Sequence, residues 1–233
     1  MSANLILGYG LLGKEIVSKT GWDYLCRKEV PDFDFRDIST YSKHLYSYDT
    51  IINCVANTDT YSDNKNTMIE TNFKPICDLT NWCEKWNRKL VHISTDYVYA
   101  GSDHPTKETD VPIPAKTWYA YSKLLADGYI ETFSTNYLIV RTSFKKYPFP
   151  YEKAIAMQRG NFDYVPKIAS KIIELINRDA RGIINVGHEE SWNMYEMAKE
   201  TSPDIKFTYD IIHRNMPRDI TMDVSKMKGL LER

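Results

Sequence analysis

The chain has 233 residues, enough for one large α/β domain or one domain with a small appendage. Hydrophobic residues make up 42 % and charged residues 26 %, the balance of an ordinary globular protein rather than a disordered one. Lys and Arg number 30 against 31 Asp and Glu, a net charge of -1, so no basic excess points to nucleic acid or an anionic membrane. The sequence has no run of about 18 apolar residues that would span a bilayer. The apolar part of its N-terminus is too short for a secretory signal. Cys26, Cys54, Cys77 and Cys83 lack C-x-x-C spacing. That predicts free thiols in a reducing cytoplasm rather than disulfides or zinc. The five His form no pattern with Cys or carboxylates, so no metal is expected.

Leu5-Ile6-Leu7 reads as a strand, and Gly8-Tyr9-Gly10-Leu11-Leu12-Gly13 follows at once. Leu11, Leu12, Ile16 and Val17 then recur at helical spacing. The glycines therefore sit where a strand turns into a helix, which is the context of a dinucleotide-binding loop. The first permits the tight turn, the second lets the backbone approach a pyrophosphate, and the third allows close helix–strand packing. Trp22 to Cys26 is the predicted second strand, and Arg27-Lys28 forms the tip after it. An acid here would favour a free ribose hydroxyl, whereas Arg accommodates a 2′-phosphate. NADPH is thus expected, with NADH the alternative. Phe33 to Asp37 marks a loop beside the adenine, and Asp37 is taken as a cofactor contact. Tyr41 to Tyr48 is a weak helix. Thr50 to Ala56 is a buried strand ending near Asn57, and Val55, Ala56 and Asn57 join the expected cofactor contacts because ligands collect at such strand ends. Met68 to Trp86 is predicted as one long amphipathic helix, and Lys89 to Ile93 as the next strand. This alternation predicts an α/β fold, a Rossmann-type doubly wound parallel sheet with a small C-terminal substrate cap.

Ser94-Thr95-Asp96-Tyr97-Val98-Tyr99 follows that strand. A hydroxyl there can hydrogen-bond a carbonyl under reduction. Tyr119 and Lys123 open the next predicted helix, which runs to Phe133, and lie one turn apart on one face. A cation within about 4–6 Å lowers a phenol's pKa and makes it a usable proton donor. Thr95 would polarise the carbonyl, Tyr119 would give the proton, and Lys123 would lower the Tyr pKa and hold the nicotinamide ribose. His92 lies inside an apolar strand and reads as a packed core residue.

These residues resemble an extended short-chain dehydrogenase/reductase, most similar to the dTDP-4-dehydrorhamnose reductase family. Leu90 to Gly101 follows that family's L-V-x-I-S-T-D-Y-V-F-D-G. Leu25-Cys26-Arg27, Asp34 to Asp37, Tyr119 to Leu125, Val140 to Phe144, Ser191 to Ala198 and Met222 to Lys226 resemble further family segments, so the likeness covers most of the chain. It implies a catalytic Thr95, Tyr119 and Lys123, with Asn72 relaying protons through water. It implies a nucleotide-sugar substrate met by Thr95, Asp96, Tyr97, Phe144 and Trp192. Residues 1–143 would form the NAD(P)-binding Rossmann domain, and 144–233 the remaining sheet strand interleaved with the cap.

Two departures stand out. The glycine loop is G-x-G-x-x-G rather than the family's longer form. The segment after Arg141 is shorter, with only Lys145 to Asp163 before the next helix. An epimerase or dehydratase of the same superfamily is the alternative chemistry, disfavoured because Asp96 is followed by Tyr97 and not Glu. A non-catalytic NADP-binding regulatory subunit is the alternative of another class. Lys145-Lys146 reads as a solvated charge pair. Lys167 to Asn177, Trp192 to Lys199 and Ser225 to Leu231 read as helices, Gly182 to Val186 as a strand, and Pro203 to Ile212 as part of the cap. The predicted helices Met68–Trp86 and Tyr119–Phe133 could pair across a homodimer, as members of this superfamily often do.

Overall fold

The computed structural model describes residues 3–103, 105–210 and 213–232. The chain divides into two compact units. One comprises residues 1–94 and 117–139, the other residues 95–116 and 140–233. No helix among the described residues is long and apolar enough to cross a membrane.

The first unit runs β1 (Asn4–Leu7), α1 (Leu11–Thr20), β2 (Asp23–Leu25), α2 (Ser42–Leu45), β3 (Thr50–Asn53), α3 (Lys65–Asn72), α4 (Lys74–Lys85), β4 (Lys89–Ile93) and α5 (Trp118–Phe133). β1 pairs in parallel with β2 on one side and β3 on the other, with Leu7 opposite Leu25 and Asn53. β3 pairs in parallel with β4, with Asn53 opposite His92. Leu5, Ile6, Leu7, Ile51, Ile52, Leu90 and Val91 are all buried, because helices cover both faces of a parallel sheet. The chain leaves β1 to one side and returns on the other, so the switch point lies between the carboxyl ends of β1 and β3.

The second unit contains β5 (Tyr137–Thr142), which begins in the first, then β6 (Phe144–Lys145), β7 (Lys153–Ile155), β8 (Arg159–Gly160), β9 (Asp163–Tyr164), α6 (Val165–Asn177), β10 (Gly182–Val186), β11 (Trp192–Asn193), α7 (Met194–Lys199), β12 (Lys206–Thr208) and α8 (Ser225–Leu231). β6 pairs with β9 and β7 with β12 in parallel, and β8 with β11 antiparallel. Phe149, Ala154, Phe162, Tyr164, Met194, Met197, Ala198 and Ile220 form its buried cluster. Among the described residues the main sheet has six strands, in the order β10-β5-β4-β3-β1-β2. The expected Rossmann-type doubly wound fold is the observed one.

Several element boundaries differ from the sequence reading. The helix predicted over Met68–Trp86 is two helices. Phe73 leaves helical geometry at φ -120°, and Pro75 in the first turn of α4 has no N–H to continue the ladder. The strand predicted to Ala56 stops at Asn53, whose side-chain oxygen accepts from Val55 N at 3.0 Å and draws the backbone into a turn. The Tyr41–Tyr48 helix shrinks to Ser42–Leu45. The helix expected from Trp192 starts at Met194, where Asn193 and Glu196 form a reciprocal capping box. α6 begins two residues before Lys167, with Pro166 in its first turn. Of the stretch Pro203 to Ile212, Lys206–Thr208 is strand, and Ile212 lies outside the described residues.

Gly13 fixes how closely α1 approaches β1. A Cβ on it would lie inside the van der Waals shell of the Gly8 carbonyl oxygen. Backbone cannot move aside as a side chain can, so Gly13→Ala is expected to lower the unfolding free energy by about 1–3 kcal/mol, the range of an overpacked site, and with it the denaturant midpoint. An unchanged midpoint would mean that α1 shifts freely.

Candidate functional site

The first unit contains a cleft of about 540 Å³ at the switch point of its sheet. Gly8 and Tyr9 line it from the end of β1, Val55 from beyond β3, Arg27 and Lys28 from the tip after β2, and Asp34, Phe35 and Arg36 from the following loop. Gly8 has φ 97°, and a Cβ there would meet Val55 Cγ2 at 2.8 Å. The position therefore requires glycine. α1 follows Gly10, which gives it no side-chain cap, and it has no acid in its first turn. Its leading N–H groups are left for an anion, favoured there by the helix dipole.

Tyr9 stacks on Tyr24 with ring centroids 4.1 Å apart, and the Lys14 ammonium sits 5.5 Å from the Tyr9 centroid. Four cationic side chains line the cleft (Lys14, Arg27, Lys28 and Arg36) against the acids Glu29 and Asp34. Arg36 holds Asp34 through bonds of 2.6 to 3.1 Å. That contact keeps the Asp34 carboxyl down at about 2, so it stays ionised and offsets part of the Arg36 charge.

Lys123 is carried into the same unit's interior by α5. That helix is capped by Thr117, whose hydroxyl accepts from Ala120 N at 3.2 Å. Lys123 Nζ donates to Ile93 O at 2.7 Å and lies 2.9 Å from His92 Nε2. Burial lowers its pKa to about 8, against an upward pull from Asp127 and from Cys54. Tyr119 lies one turn earlier on α5 and is half-buried. Asn72 is buried and braces the loop after β3. Its Oδ1 accepts from Asn57 N at 2.7 Å, and its Nδ2 donates to Asn57 O at 3.0 Å and to Ser122 Oγ at 3.2 Å.

In the second unit, Thr95 accepts from Tyr97 N at 3.3 Å and donates to Asp96 Oδ1 at 3.2 Å. Asp96 is buried, and its Oδ2 has no hydrogen-bond partner among the described residues. Burial raises its pKa to about 7, against downward pulls from Thr95, Lys145 and Ser143. Burial also lowers Lys145, while Asp96 pulls it back up. Lys145 is therefore not half of a solvated pair; it is half-buried and answers Asp96, while Lys146 is exposed. Tyr97 OH accepts from Gln158 Nε2 at 3.0 Å. Trp192 stacks on His188 at 4.1 Å and donates to Phe162 O at 2.7 Å. Phe144 lies half-buried in β6.

Of the expected cofactor contacts, Gly8, Tyr9, Arg27, Lys28 and Val55 line the cleft together. Leu12 is buried in the core, while Gly10 and Leu11 are exposed at the start of α1. Asp37 spends its carboxylate on Ser39 N and Ser39 Oγ at 2.9 and 2.7 Å, capping a short 3₁₀ turn. Ala56 and Asn57 lie beyond Val55, outside the cleft lining. The sequence reading missed Lys14, Cys26 and Thr71 at the cleft, and set aside Glu29 as an acid that comes late after β2. Lys14, one residue past the glycine run, carried the clearest signal.

The sequence of residues 3–145 matches the model of the RmlD substrate binding domain family. The chain belongs to this family. Its similarity to a probable low-salt glycan biosynthesis reductase, Agl14, of Haloferax volcanii agrees. The two are 34 % identical over 221 residues, covering 80 % of this chain and 73 % of that one. Among solved structures, the chain superposes on a dTDP-4-dehydrorhamnose reductase from Bacillus anthracis in complex with NADP with a TM-score of 0.84. That match has 20 % identity and covers 100 % of this chain and 97 % of that one. A dTDP-4-dehydrorhamnose reductase ortholog from Clostridium acetobutylicum gives a TM-score of 0.83 at 20 % identity, covering 98 % and 92 %. These two structures establish the fold.

Two outcomes follow for the family fold. Asn72→Ala leaves the half-buried Asn57 N–H without its acceptor, which should cost about 1–3 kcal/mol in urea unfolding. A loss below about 0.5 kcal/mol would mean that the loop finds another partner. For Asp96, the folded pKa of about 7 exceeds the unfolded value of 3.8. The folded chain therefore holds that proton more tightly. The contribution is complete below the unfolded pKa and is lost as pH rises through about 7. Asp96→Asn should thus gain stability relative to the native chain between pH 5 and pH 8. A difference that stays flat over that range would contradict the assignment.

Proposed function

We propose that this chain is an NADPH-dependent reductase of a nucleotide-linked 4-keto-6-deoxy sugar, acting as dTDP-4-dehydrorhamnose reductases do. The reading is carried by buried Lys123, held to a strand carbonyl one helical turn from Tyr119, in a unit whose glycine turn opens a basic cleft. Membership of the RmlD family and similarity to a curated reductase support it.

The cleft residues fit a dinucleotide phosphate. Gly8 lets the backbone approach it, the uncapped start of α1 meets the pyrophosphate, and Arg27 and Lys28 answer a 2′-phosphate. When bound, the nicotinamide supplies the hydride. Everything else falls to the chain. Tyr119 gives its phenolic proton to the keto oxygen as that oxygen gains charge. The Lys123 ammonium lowers the cost of leaving a phenolate behind. Thr95, whose hydroxyl oxygen is held by Tyr97 N, turns its single proton away from Asp96 Oδ1 and donates it to the substrate carbonyl. Asp96, Tyr97, Phe144 and Trp192 lie in the unit assigned to the sugar nucleotide, and Asn72 keeps the loop beside the cleft in place.

The test mixes the purified chain with NADPH and dTDP-4-keto-6-deoxy-L-mannose and follows the nicotinamide absorbance. Consumption is expected, and Tyr119→Phe should reduce it by about 10²- to 10⁴-fold, the scale of a lost general acid. No consumption by a chain that still binds NADPH would overturn the substrate. Equal consumption by Tyr119→Phe would overturn the role of Tyr119.

A further inference from the structure

Three polar side chains form a line through the interior of the first unit. Asn53, His92 and Lys123 come from β3, β4 and α5 and are 0, 0 and 1 % exposed. Lys123 Nζ is 2.9 Å from His92 Nε2, and His92 Nδ1 is 3.2 Å from Asn53 Nδ2. The far end is anchored to backbone, because Asn53 Oδ1 accepts from Val55 N at 3.0 Å. Val55 lines the cleft.

Donors and acceptors along this line constrain one another. A backbone N–H can only donate, so Asn53 presents oxygen to Val55 and its NH₂ to His92. The NH₂ can only donate, so Nδ1 accepts and the ring proton sits on Nε2. An Nε2–H aimed at Nζ needs a lone pair there, which only the free amine has. The ammonium demands the opposite arrangement. It has only donors, so Nε2 must be bare and the ring proton must sit on Nδ1. That N–H then confronts the Asn53 NH₂. Turning the amide over relieves the clash but takes the acceptor from Val55 N. Ile93 O accepts from Nζ in either state.

We propose that His92 is a positioning residue that ties the charge of Lys123 to the tautomer of its own ring, and through Asn53 to the Val55 amide on the cleft wall. The free amine goes with an Nε2–H ring and the ammonium with an Nδ1–H ring. When Nζ takes up a proton, the ring releases its Nε2 proton and is reprotonated at Nδ1. The ring stays neutral and the unit gains one proton. Burial and the Lys123 charge both hold His92 well below its usual range, so an imidazolium is the costly alternative. The other groups acting on Lys123 are Asp127 on α5 and Cys54 beyond β3, and Tyr119 lies one turn earlier on α5. Burial pushes the Cys54 thiol up to about 12, so it stays neutral. The coupling stands on the contacts of this unit alone; its weight in catalysis rests on the reductase reading above.

Nitrogen NMR of the full chain with ¹⁵N-labelled histidine tests it without any substrate. His92→Gln identifies the two ring signals. On lowering the pH from 10 to 6, the protonated and bare signals should exchange between Nε2 and Nδ1 as Lys123 titrates, with no imidazolium pattern. Asn53→Asp gives Nδ1–H an acceptor, so it should lock that tautomer throughout and move the Lys123 titration up by about one pH unit, a tenfold change. A native ring that keeps one tautomer over the whole range, or titrates as an ordinary His near 6.5, overturns the proposal. If the chain also turns over a keto sugar, the pH–rate limb of Asn53→Asp should move with the NMR titration. A chain that turns over nothing but still exchanges tautomers refutes the reductase and leaves the coupling intact.

Discussion

The parallel pairing of β1 with β3 is the constraint on which the first unit depends. It sets Leu7 opposite Asn53, so the glycine turn after one strand and the Asx turn after the other open on the same edge. A slip of one residue would turn the side chains of one strand to the opposite face relative to the other. It would also bury Gly8 against a different side chain. The close approach of Gly8 to Val55, the start of α1 and the cleft itself all inherit that register. β4 extends the same logic by one strand. Asn53 opposite His92 is a cross-strand pair, and α5 needs only to pass over it for Lys123 to reach the ring.

Electrostatics differ between the two units for a common reason. Each holds a lysine away from bulk water, Lys123 buried and Lys145 half-buried. Lys123 is met by a carbonyl and an imidazole, and Lys145 by a carboxyl that burial tends to keep protonated. Desolvation penalises the charged form in each case, moving lysines down and Asp96 up. Lys123 at about 8 and Asp96 at about 7 therefore change charge near neutral pH, where ordinary lysines and aspartates do not. The Arg36–Asp34 pair at the cleft is the contrast. It is largely exposed, its members keep their charges, and it contributes little to stability.

Much of this was legible in the residues. The strand–glycine–helix order announced the Rossmann unit, and Tyr119 with Lys123 required only the 3.6-residue period. Family resemblance in Leu90–Gly101 then gave the chemistry a name. What the sequence hid was tertiary. One apolar period runs from Met68 to Trp86 and masks the break, although Pro75, which has no N–H, already signalled it in the sequence. Asp37 resembles its family counterpart, yet it caps a local turn, which is as natural a use for a carboxylate as binding a ribose. His92 was rightly expected in the core. Its link to Lys123 joins residues 31 apart on different elements, and no periodicity carries that. The two-residue strands of the second unit were below the reach of pattern reading, because each is too short to show alternation.

The path of the chain has a consequence of its own. It passes between the two units at residues 94/95, 116/117 and 139/140, so each unit is stitched from separated lengths of polypeptide. The first is complete only after residue 139 has been made, and by then a part of the second has already emerged. During synthesis the segment 95–116 must therefore wait, unpartnered, for the C-terminal ninety-four residues with which it will pack. No single cut in the gene can separate these units, and whatever evolved the one had to carry a piece of the other along inside it.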